Sequence, residues 1–73
     1  MDYTKEELIE AKRQIGSTIH KLNETLKTFE AKENPGRYKS QITLVGRRIQ
    51  AFTIAVQLIE REIAATEEAR DNA

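Results

Sequence analysis

The chain has 73 residues, 12 basic and 12 acidic, with one histidine and no cysteine. Disulfides, thiolate metal sites and cysteine nucleophiles are therefore excluded, and so is a multi-histidine metal site within one chain. One core this small contributes only about 3–5 kcal/mol unless something staples it, and association of several chains is the staple that remains.

Helix 1 is expected over about residues 4–33. Thr4 and Glu7 have the spacing of a capping box, and Tyr3 and Leu8 then fall where a hydrophobic staple sits. Glu6, Glu7 and Glu10 suit the positive end of the helix dipole. Apolar residues follow at Leu8, Ile15, Ile19, Leu22, Leu26 and Phe29, a heptad seam with Lys12 at the missing position.

Asn34-Pro35-Gly36 is the one strong breaker and predicts a turn at 34–36, with Asn and Gly tolerating left-handed backbone. Helix 2 is expected over about 37–69, followed by a frayed tail at 70–73. Its stripe Tyr38, Ile42, Val45, Ile49, Phe52, Val56, Ile59 and Ile63 is an unbroken a/d pattern over four heptads. A second stripe, Leu44, Ala51, Ala55, Leu58 and Ala65, runs beside it, and Ile54 lies outside both. One partner helix needs only a narrow seam, so helix 1 cannot cover this wide arc. The sequence thus predicts a single all-α domain: an antiparallel two-helix hairpin associating with itself as a homo-oligomeric bundle, a dimeric four-helix bundle or larger.

The zero net charge conceals an uneven distribution. Between Glu33 and Glu60 there is no acid, and Arg37, Lys39, Arg47 and Arg48 give that stretch a charge of +4. From Glu60 onward there are five acids and two arginines. Arg37 and Lys39 flank Tyr38 at the start of helix 2, and cations beside an aromatic ring can hold a phosphate and stack a base. Arg48 adjoins the second stripe, where a guanidinium needs a carboxylate or a ligand phosphate, and Glu62 and Glu24 are the structural candidates. Candidate ligand-binding residues are therefore Arg37, Tyr38, Lys39, Arg47 and Arg48. The competing reading is a solvated basic turn, with Tyr38 closing the end of the bundle.

Other chemistry finds little support. His20 and Glu24 stand one turn apart, as in a surface ion pair, and two ligands do not make a metal site. Ser17 and Ser40 have no visible base partner. No catalytic residues, metal or cofactor are expected, and the chain reads as a non-enzyme. No uninterrupted apolar run approaches the ~18 residues of a membrane span, and no signal-peptide pattern opens the sequence. A cytoplasmic protein without a membrane partner is the expectation, and the balanced charge argues against nucleic acid.

Three stretches carry a resemblance: Tyr3 to Leu8, Gly16 to Ile19, and Arg48 to Glu62. Together they resemble a group of small helical-hairpin proteins of low-GC Gram-positive bacteria, their phages and mobile elements, a group with no established chemistry to transfer. In layout the chain is also similar to small phage hairpin proteins that sequester the cyclic-nucleotide signals of bacterial immunity at sites between protomers. That likeness is one of form and implies a sequestering, anti-defence role. The alternative function is a protein-interaction adaptor that occludes a host or phage protein through Ile54 and the second stripe. RNA binding by a hairpin dimer ranks last.

Overall fold

The computed structural model describes residues 2–32 and 35–71. Two helices, α1 (Lys5–Glu30) and α2 (Lys39–Asp71), are joined through a 3-10 turn at Pro35–Tyr38, and the described residues contain no strand. The helices pack antiparallel into a hairpin of 58 × 18 × 14 Å.

The start of α1 follows from its first four residues. Thr4 accepts from the Glu7 backbone N–H at 3.1 Å, while Glu7 accepts from the Thr4 N–H at 2.9 Å, so two otherwise unpaired donors are satisfied reciprocally. The Thr4 bonds hold the Glu7 carboxyl below its ordinary 4.5. At the other end α1 stops at Glu30, three residues short of the expected limit. Ala31 donates to the Lys27 carbonyl, and the Lys32 N–H reaches the Phe29 carbonyl at 3.3 Å. That i→i+3 bond tightens the final turn and ends the helix before the proline.

The expected turn takes a different form on its described side. Pro35 and Gly36 belong to the 3-10 turn, and no described residue has a positive φ. Gly36 is not used for left-handed backbone, and Asn34 lies outside the described residues. Because residues 35–38 are 3-10, α2 proper starts at Lys39 rather than 37. Phe29 and Tyr38 clamp this end, with ring centroids 5.3 Å apart. At the far end α2 continues to Asp71, past the point where fraying was expected. Glu67 there accepts from Lys5 at 2.8 Å, which ties this part of α2 to the first turn of α1.

The seam of α2 is the one its sequence spells. Val45 is buried, and Tyr38, Ile42, Ile49, Phe52, Val56, Ile59 and Ile63 are half-buried. On α1 the missing seam position belongs to Ala11, which is half-buried between Leu8 and Ile15. Lys12 is exposed instead and reaches Glu60 across the hairpin at 3.4 Å. Lys5–Glu67 and Lys12–Glu60 are thus two rungs seven residues apart on both helices. Each is half-exposed, so each is worth about 0–1 kcal/mol and specifies alignment more than stability.

The interior is thin. Only Leu8 and Val45 fall below a tenth exposed among the described residues, and no large side chain is fully buried. The accessible surface is 5950 Å² for 8.4 kDa. A compact monomer of that mass exposes about 4,600 Å². The excess, roughly 1,300 Å², is more than the ~800 Å² that a standard protein–protein interface removes from each partner.

By length and average composition, Gly36–Glu68 is long and apolar enough to cross a membrane, with hydropathy 1.3 in its most apolar window. The expectation drawn from uninterrupted apolar runs misses this. Arg47 and Arg48 lie about a third of the way along that stretch, and an arginine costs about 2.5–3.5 kcal/mol at a bilayer centre. One face of the same helix is also committed to α1.

Candidate functional site

The five basic-region candidates do not converge on one point. Tyr38 turns toward α1, where Phe29 takes one side of its surroundings and the Lys32 ammonium lies 5.7 Å from its ring centroid. Tyr38 therefore closes the end of the hairpin. Arg37, Lys39, Arg47 and Arg48 are exposed.

Lys39 and Arg47 share one face, two turns apart along the helix. They line an open depression of about 350 Å³ with Ser40, Thr43 and Leu44, on the side of α2 turned away from α1. The grouping follows from helix geometry, since positions 39/40, 43 and 47 lie at successive turns of one face. It offers two cations, two hydroxyls that donate or accept, and an apolar floor. Ser40 has no visible base partner in the sequence, and Thr43 stands out there for no chemistry of its own. Their spacing from the two cations was the signal that could have found them. No acid occurs in the first turn of α2 to neutralise the pair.

Arg48 is not part of this depression, and among the described residues it makes no ion pair. Glu24, one of its candidate partners, is held by Lys27 at 3.5 Å and pairs with that lysine rather than with His20. Among the described residues no three His, Asp or Glu side chains gather as metal ligands.

The larger feature is the outer face of α2. Leu44 is 49% exposed, Ile54 50% and Leu58 56%. Ala51 and Ala65 are exposed, whereas Ala55 is half-buried toward the α1 seam. The second stripe therefore divides. Ala55 joins the inner seam, and Ile54, three residues from Ala51 and four from Leu58, completes the outer one. The outer line runs Leu44, Arg47, Ala51, Ile54, Leu58, Arg61, Ala65 in alternating steps of three and four. It is a second heptad seam on the same helix, and α1 does not reach it.

Acids and bases are used differently on the two sides. Toward α1, Glu60 and Glu67 are taken by Lys12 and Lys5. Lys5 lowers the Glu67 carboxyl below its ordinary 4.5 by hydrogen bonding and charge. Arg13 and Gln14 together pull Glu10 down to about 2 on the exposed side of α1, with the Arg13 hydrogen bond the larger cause. Glu62 and Glu68 make no ion pair among the described residues, nor do Lys39 and Arg47.

A second groove, of about 340 Å³, is lined by Tyr3, Glu7, Leu8, Ala11 and Ile59. It lies where the staple residues Tyr3 and Leu8 meet α2, and it is nearly all apolar. No family model matches the sequence, and no curated protein and no solved structure matches it significantly.

Proposed function

We propose that the protein is a non-enzymatic, cytoplasmic homo-oligomer of helical hairpins that binds a small phosphate-bearing molecule between protomers. The observation that carries this reading is the outer depression, where Lys39 and Arg47 stand with Ser40 and Thr43 above Leu44. Two uncompensated cations with hydroxyl donors match the oxygen array of a phosphate. The depression is open, and a thin hairpin has no depth to enclose a ligand by itself. A second protomer laid along the outer seam supplies the missing wall. Arg37 and Arg48 extend the positive region, while Tyr38 acts as the structural closure of the bundle end.

The likeness of form to hairpins that sequester cyclic-nucleotide signals makes cyclic di- and trinucleotides and cyclic ADP-ribose isomers the first ligands to try. A thermal-shift panel tests the reading directly. At 100 times the dissociation constant a bound ligand adds about 2.7 kcal/mol to stability, so a binder raises the Tm by several degrees. Arg47→Ala is expected to abolish the shift. No shift from any member at millimolar concentration contradicts ligand binding at this site.

The second reading is an adaptor, favoured by the half-exposed Ile54 and Leu58. In that case the outer seam covers a host or phage protein rather than another hairpin. Stoichiometric capture of one defined protein, lost on Ile54→Glu, supports it. Retention of that protein by the Ile54→Glu variant contradicts it.

A further inference from the structure

We infer that a second copy of this chain docks on the outer face of α2 with its own α2 running in the opposite direction, the two crossing near Ile54. The inference deepens the oligomeric reading above and rests on it. Its basis is charge complementarity along a seam whose period is already correct.

The N-terminal part of α2 carries Lys39, Arg47 and Arg48 with no acid before Glu60. The C-terminal part presents Glu62 and Glu68 away from the α1-paired Glu60 and Glu67. Arg47 and Glu62 are fifteen residues apart, about 22 Å along one helix, so they cannot meet within the chain. A parallel second copy would set Arg47 against Arg47 and Arg61 against Arg61 in the seam, like charges in a partly desolvated position. An antiparallel copy crossing near Ile54 also brings Arg47 opposite Arg61, but it places Glu62 of the other copy beside that pair and sets the basic end of each chain against the end that carries Glu62 and Glu68, and two-fold symmetry makes the exchange twice.

The packing agrees with that direction. Crossing near the middle of the stripe brings Ala51 and Ala65 opposite larger side chains and groups Ile54 and Leu58 of both copies at the centre. Small residues facing large ones interdigitate better than matched large pairs. The seam also falls on the face whose large side chains the hairpin leaves about half-exposed. Each end of the interface keeps a positive surplus, because Arg37, Lys39, Arg47 and Arg48 meet Glu62 and Glu68 together with Arg61. The depression at Lys39 and Arg47 therefore gains a wall without losing its attraction for an anion.

The absence of cysteine makes the test clean. Arg47→Cys and Glu62→Cys proteins are prepared separately, checked for helical circular dichroism, and treated with a short bis-maleimide alone and as a mixture. The mixture is expected to give cross-linked 47–62 dimers at least tenfold more efficiently than either protein alone. Efficient self-linking of Arg47→Cys would show a parallel arrangement and overturn the inference while leaving the oligomer intact. As a second measure, Glu62→Arg should weaken association of the whole chain about tenfold or more, and adding Arg47→Glu should recover most of it. A Glu62→Arg chain with unchanged association would overturn the pairing. A wild-type chain that sediments at the mass of one copy, or that binds lipid vesicles or another protein through this face instead, would overturn the oligomeric reading as well. None of these readouts involves the small ligand, so failure of the docking direction and failure of ligand binding are separately visible.

Discussion

The two faces of α2 make an instructive pair. Both follow the three-four spacing of a coiled-coil seam over much the same length. The inner face is continuous in large residues, from Tyr38 to Ile63, and α1 covers it. The outer face alternates Leu44, Ile54 and Leu58 with Ala51, Ala65, Arg47 and Arg61, and its large members stay about half-exposed. The period that makes a seam thus does not by itself decide which face the second helix of the hairpin covers. What separates the two is composition, with all-apolar positions on the face that α1 covers, and small and charged residues among the large ones on the face it leaves exposed.

Cutting into the inner seam should have the largest effect. Val45→Ala or Leu8→Ala removes one of the two best-buried side chains and should cost about 2–3 kcal/mol, the lower part of the usual range because the core is thin. Against a hairpin worth a few kcal/mol, either change should leave a large unfolded fraction at 25 °C, read by urea titration. Cutting into the outer seam should behave differently. Ile54→Glu should keep the circular dichroism of the helices in the cold while removing association. Its apparent Tm should become independent of protein concentration, whereas the wild-type Tm should rise with concentration. A variant that loses helicity outright would place Ile54 in the intramolecular fold.

Smaller changes sharpen the contrast. Thr4→Ala removes the hydroxyl that accepts from the Glu7 N–H, leaves the residue-4 N–H bonded to the Glu7 carboxylate, and should cost about 1 kcal/mol with no change in oligomer mass. Gly16→Ala and Gly46→Ala should each stabilise by about 0.5–1 kcal/mol, since a Cβ at either position meets nothing within 4 Å. Gly46 lies on α2, so its substitution also probes the neighbourhood of the outer seam. A stabilised monomer with weakened association would show that a second helix approaches the chain there.

The smallest effect is that of pH. Glu7, Glu10 and Glu67 all have folded-state pKa values below the ordinary 4.5, so the folded chain holds its carboxylates charged more readily than the unfolded chain. Their contribution is present above about 4.5 and is lost as pH falls toward about 2, the value for Glu10. Stability should decline over that interval. All three groups are exposed, so salt should blunt the decline.

The hairpin was legible because each of its determinants is local. The Thr4–Glu7 box and the heptads of α2 need only residues within a few turns of one another. The helix limits were less legible. The stop at Glu30 and the 3-10 turn depend on how Phe29 and Tyr38 clamp together, a contact between residues nine positions apart. Lys12 illustrates the same difficulty on α1. Spacing alone allows either Ala11 or Lys12 at the seam, and the choice is made by the way α1 rotates against α2 and by the acid at Glu60. For the candidate site, the basic stretch was visible as a charge asymmetry, but its sorting was not. Tyr38 turns inward to Phe29 while Lys39 and Arg47 turn outward with Ser40 and Thr43, and that division is set by the angular position of each residue on a helix whose inner face is already committed. The oligomer that the wide apolar arc implies involves contacts beyond one chain, and neither the hairpin geometry nor the heptad period fixes its direction.

The most direct measurement of the central claim is sedimentation equilibrium of the wild-type chain beside Ile54→Glu. The account predicts a wild-type mass at an integer multiple of 8.4 kDa, two or more, and a variant at 8.4 kDa with its helices intact. A wild-type chain at 8.4 kDa over the whole concentration range would contradict it, and the outer seam of α2 would then belong to some other surface.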